Sequence, residues 1–157
     1  MSNDRSISSD RAAVDFSLLI IRLAVGVIFI AHGSQKLFGA FDGKGLAATV
    51  EMMGGGVIPY LVTIGEFFGG IGLVFGFLSR FSALAITVIM IGAIVKVHAP
   101  NGFFLSHVDP KQNGYEYNIA LIGLLLPILI CGPGRFSIGQ FFLPKCRHTG
   151  RPLIVLE

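Results

Sequence analysis

Tryptophan is absent from this 157-residue chain and charge is scarce, with Asp, Glu, Lys and Arg together at 13%. A soluble domain carries roughly 25% charged residues. The shortfall excludes a water-soluble globular fold, because 53% of the residues are apolar and they fall in long runs. Cysteine is almost as rare. Cys131 and Cys146 form neither a CxxC pair nor a disulfide framework. No GxGxxG follows a strand and no Walker loop is present, so nucleotide binding has no support. No HxxxH or ExxH pair argues for a transition metal, and none is assigned. The net charge of +3 does not point to nucleic acid, since the basic residues lie between and after the apolar runs. The start, Met1–Asp15, mixes Asp4, Asp10 and Asp15 with Arg5 and Arg11. It lacks the regions of a signal peptide and reads as a flexible cytoplasmic tail, residues 1–15.

What is present is membrane chemistry, with a mean hydropathy of +0.76. Four apolar runs of near-spanning length cover about Phe16–Gly33 (helix continuing toward Phe38), Val57–Leu78, Phe81–Val97 and Tyr117–Cys131. The reading is an all-α, four-helix transmembrane bundle over residues 16–135, followed by a basic cytoplasmic tail, 136–157. The connection Ser79-Arg80 makes the second and third spans an antiparallel hairpin. Four spans put Arg5, Arg11, Arg80, Arg135, Lys145, Arg147 and Arg151 on one side, against Lys36, Lys44, Lys111 and Lys96. The positive-inside rule then places both termini in the cytoplasm.

The second span carries the densest signal, Gly65-Glu66-Phe67-Phe68-Gly69-Gly70-Ile71-Gly72. Gly65, Gly69, Gly72 and Gly76 share a face on which another helix can approach closely. Glu66 is a carboxylate inside an apolar span, which is a functional-site hypothesis by default. Arg22, Gly26, Phe29 and Gly33 share one face of the first span. Two readings of Arg22 stand: a side chain snorkelling to the head groups, or the buried partner of Glu66. His32, Gln35, Lys96, His98, Glu116 and Asn118 all fall near the outer ends of the spans. They either converge on Glu66 or anchor helix ends at the interface, as Tyr115 and Tyr117 suggest.

These motifs together resemble the DoxX family. They are Arg22 with His32-Gly33-Ser34-Gln35-Lys36-Leu37-Phe38-Gly39, then Gly65-Glu66-Phe67-Phe68-Gly69-Gly70 and Gly76-Phe77-Leu78-Ser79-Arg80. His98, Gly102-Phe103, Gly114-Tyr115-Glu116-Tyr117-Asn118 and Gly132-Pro133-Gly134-Arg135-Phe136-Ser137 complete them. The resemblance implies a multi-pass bacterial inner-membrane protein linked to thiosulfate–quinone oxidoreductase or to complexes with redox-stress enzymes. The expected role is a membrane subunit of a redox system, with quinone as the cofactor. Glu66, His98 and Glu116 are the candidate catalytic residues; Arg22, His32, Gln35, Lys96 and Asn118 are the candidate substrate-binding residues. The alternative is a scaffold that recruits soluble enzymes. The expected partners are the bilayer, redox enzymes and a second copy of the chain, with no nucleic acid.

Overall fold

The computed structural model describes residues 2–106 and 113–139. Lys111 and the tail cations Lys145, Arg147 and Arg151 lie outside the described residues. Among these described residues five α-helices follow in order: α1 Ser2–Phe38, α2 Gly45–Met52, α3 Ile58–Phe75, α4 Ser79–Ala93 and α5 Glu116–Cys131. A π-helical turn, Ile94–His98, and a 3-10 turn, Ala99–Asn101, extend α4. No strand occurs among the described residues.

Three helices, Asp10–Phe38, Ile58–Phe75 and Ser79–Asn101, are long and apolar enough to cross a membrane, and Glu116–Cys131 is a shorter apolar helix. α1 packs on α3, α3 on α4, α4 on α5, and α5 returns to α1. The shared core is small: Leu18, Val25 and Phe29 from α1, Leu73 from α3, Ala83, Ile86 and Met90 from α4, and Leu121, Leu125 and Ile128 from α5. Large apolar side chains face outward along every spanning helix, among them Val27, Leu61, Phe68, Val88 and Leu126. Water would not tolerate such a surface, and lipid solvates it at no cost.

The structure departs from the sequence expectations in three places. The helix expected from Phe16 begins at Ser2, so the segment read as a tail continues the axis of α1. The hairpin does not turn at Ser79-Arg80, which open α4 instead. α3 ends at Gly76, whose φ of 72° is left-handed and suits glycine. Gly76 N–H bonds to Leu73 O at 3.2 Å and Phe77 N–H to Gly72 O at 3.0 Å. That pair of bonds satisfies the last carbonyls of the helix and stops it. The third departure is α2, which was not expected. It packs between the end of α1 and the start of α3.

Glycines set the spacing between helices. The stripe Gly65, Gly69 and Gly72 faces α4, where added methyls would meet Ile89, Ile86 and Ser82. A different set admits α1. A Cβ on Gly70 would stand 2.7 Å from Ile30 N, and one on Gly33 would stand 2.6 Å from Phe67 Cα.

Candidate functional site

The close approach of Gly33 to Phe67 places the next turn of α1 against the preceding residue of α3. There Lys36 Nζ donates to both Glu66 oxygens, each at 2.6 Å. Glu66 is 3% exposed, while the Lys36 side chain keeps 31%. The pair therefore joins a buried carboxylate to an ammonium that still reaches polar surroundings. An uncompensated carboxylate at this depth would be costly, and the bidentate contact removes that cost.

Around the pair the chain is closed by aromatics and by the α1–α2 connection. Phe38 and Phe67 meet edge to face at 5.3 Å, and Phe67 and Phe68 at 5.2 Å. Gln35 Nε2 donates to Phe41 O at 3.3 Å, which draws the connection back onto α1. Thr63, one turn before Glu66 on the same face, is fully buried and its hydroxyl has no hydrogen-bond partner. The cluster thus offers a carboxylate, an ammonium and a hydroxyl beside aromatic rings.

Arg22 does not join this cluster. Fourteen residues separate it from Lys36, about 21 Å along α1 at 1.5 Å per residue. That distance excludes pairing with Glu66, and the full burial of the side chain excludes snorkelling. Its Nη2 donates instead to Phe136 O, after α5. This segment is pinned at several points. Arg135 N–H bonds to Asp15 Oδ1 at 3.0 Å, Ile138 N–H to Phe75 O at 3.0 Å, and Gly139 N–H to Gly76 O at 3.3 Å. The chain from Arg135 to Gly139 is a strap across the end of the bundle opposite Lys36. Replacing Arg22 by Met is expected to release it, with amide exchange at Ile138 and Gly139 rising about tenfold for the loss of one hydrogen bond to a charged group. Unchanged exchange in a folded variant would show that the strap holds without Arg22.

The remaining candidates divide between a loop and the core. The π-helical turn presents His98, whose Nδ1–H donates to Asn113 O at 2.8 Å, and Asn101 Nδ2 donates to the same oxygen at 3.3 Å. Glu116 Oε1 accepts from Leu105 N–H at 2.7 Å, and Glu116 N–H bonds to Phe103 O at 2.9 Å. His98 and Glu116 knit the α4–α5 connection together through partners that lie within it. Asn118 is buried, with Nδ2 donating to Met90 Sδ at 3.4 Å. His32 and Lys96 are exposed. The structure therefore brings Glu66 together with Lys36 rather than with His98 or Glu116. Lys36 was within reach of the sequence: extending Arg22, Gly26, Phe29 and Gly33 by three residues lands on it.

A helical bundle with a lipid-facing exterior and a buried ion pair between its first and third helices defines a multi-pass membrane protein. Comparison with known proteins gives the family. The DoxX family matches residues 17–99, and the chain belongs to it. It is 30% identical to Escherichia coli "Inner membrane protein YqjF" over 83% of this chain and 95% of that protein. It is 33% identical to E. coli "Inner membrane protein YphA" over 82% and 92%. "Putative oxidoreductase CatD" of Bacillus subtilis is 29% identical over 55% of this chain and 64% of its own length. No solved structure matches. The chain is a multi-pass inner-membrane protein of this family.

Proposed function

We propose that this chain is the integral membrane subunit of a quinone-coupled redox system, with Lys36 and Glu66 as its proton-handling centre. The observation that carries the reading is the buried carboxylate of Glu66, bidentate with an ammonium on a neighbouring helix. The name of CatD points to the same class of chemistry. A quinone, when bound, accepts or yields two electrons and two protons at its ring oxygens. The residues fit its head group. Lys36 has a third N–H beyond the two given to Glu66, and the Thr63 hydroxyl, one turn from Glu66 on α3, is buried without a partner. Both can donate to carbonyl oxygens, and Phe38 and Phe67 supply flat apolar walls. Glu66 is the group placed to pass protons to and from the head group. In this reading His98 and Glu116 shape the neighbouring loop rather than exchange protons, and Arg22 acts on the strap. The Arg80 end of the bundle, where the basic residues gather, faces the cytoplasm.

The test is mass spectrometry of cofactors retained in mild detergent, together with quinol-linked electron transfer in membranes, comparing wild type and Glu66→Gln. Loss of quinone and at least a tenfold fall in turnover are expected, because a neutral amide cannot take up the proton. Full activity in Glu66→Gln would remove the proposal. Retention of a soluble enzyme by both proteins, with no quinone in either, would favour the scaffold.

A further inference from the structure

A groove of about 570 Å³ runs between α3 and α4 on the lipid-facing side, walled by Phe68 and Phe75 of α3 and by Phe81 and Ala85 of α4. Along α3 it extends from Ile64 to Phe75, about 17 Å at 1.5 Å per residue. That is close to one leaflet of a hydrocarbon layer about 30 Å thick. The groove does not end in lipid alone. Phe75 and Ile138 also line a second concavity of about 370 Å³, whose rim carries Arg135 and Ser137. An apolar slot one leaflet deep thus opens at its head-group end beside a cation.

The cation is held in place by the strap. Arg135 N–H is bonded to Asp15 and Ile138 N–H to Phe75 O, while Arg22 holds the carbonyl of Phe136 between them. The backbone that presents Arg135 is therefore fixed from two helices before any ligand arrives. Arg80, the other cation at this end, is turned away toward α5, where its Nη2 donates to Ile130 O at 3.0 Å. The groove's mouth belongs to Arg135.

We propose that this groove binds one anionic phospholipid, with an acyl chain between α3 and α4 and the phosphate at Arg135. Charge complementarity at the mouth and the one-leaflet length select this occupant over a long isoprenoid tail. The mouth at Arg135 lies at the opposite end of the bundle from Lys36, and the groove follows the α4 side of α3 while Lys36 meets Glu66 from α1, so its failure would leave the redox reading untouched.

The experiment is native mass spectrometry of the full chain in mild detergent, titrated with phosphatidylglycerol and phosphatidylcholine of identical acyl chains. Wild type should retain phosphatidylglycerol about fivefold better, the worth of one arginine near a head-group surface. Arg135→Gln, a change at an exposed side chain, should bring the two lipids to parity. Arg80→Gln should keep the preference, and Ala85→Phe, which puts a ring into the groove, should lose both lipids. Equal retention of the two lipids by wild type would overturn the assignment. So would an Arg80→Gln effect equal to that of Arg135→Gln, or a quinone rather than a phospholipid leaving on Ala85→Phe.

Discussion

Lys36→Met is expected to destabilise the folded bundle by about 2–3 kcal/mol, measured as unfolding in detergent. Breaking a buried pair by removing one member costs about 3–5 kcal/mol, because the other charge is left stranded. The lower figure applies because Lys36 is itself 31% exposed. Glu66→Gln should cost less, about 1 kcal/mol, since the ammonium left behind reaches polar surroundings and the amide still accepts one hydrogen bond. The double variant Lys36→Met/Glu66→Met should recover most of the loss, as replacement of a whole buried pair by apolar side chains is often neutral. The order of the three is the discriminating result. If Glu66→Gln proved the most damaging, the carboxylate would be doing more than balancing Lys36.

Gly33→Ala and Gly70→Ala should each destabilise the bundle by about 1–3 kcal/mol, the range for overpacking a tight interior. At both positions the new methyl meets backbone atoms of the opposing helix, at 2.6–2.7 Å, and backbone cannot swing aside as a side chain can. α1 and α3 must move apart. That movement also withdraws Lys36 from Glu66, so Gly33→Ala combined with Lys36→Met should cost less than the sum of the two. Gly123→Ala is the control. Nothing lies within 4 Å of a methyl there, and the variant should gain about 0.5 kcal/mol from helix propensity. Equal losses at Gly33 and Gly123 would mean that the glycines matter for reasons other than contact between α1 and α3.

The spanning helices were legible because lipid demands long apolar runs, and apart from the start of α1 their ends fell within a few residues of those expected. α2 was not. Its eight residues, Gly45–Met52, are too few to show a period and sit in a connection that already read as a loop. Glu66 was legible as a buried group because a short carboxylate in an apolar span cannot reach water. Its partner was less so, since Lys36 near a helix end reads equally well as a solvated anchor. Arg22 could not be resolved from the sequence at all. It bonds to a main-chain carbonyl, which every residue carries and no pattern marks. His98 and Glu116 show the same limit: polar side chains at helix ends look alike whether they face a ligand or fasten a loop.

The strap also has a consequence in time. Arg22 and the carbonyl it grips are separated by 114 residues, and Asp15 and Arg135 by 120. At about 5–20 residues per second, roughly 6–23 s pass during synthesis between the emergence of Arg22 and that of Phe136. Through that interval the arginine must wait near the head groups or take a borrowed partner, because lipid offers it none. Closure of one end of the bundle is therefore among the last steps of assembly. A chain truncated before residue 136 would insert its helices and leave a buried cation unanswered, a mark by which a quality-control protease could tell it from the finished protein.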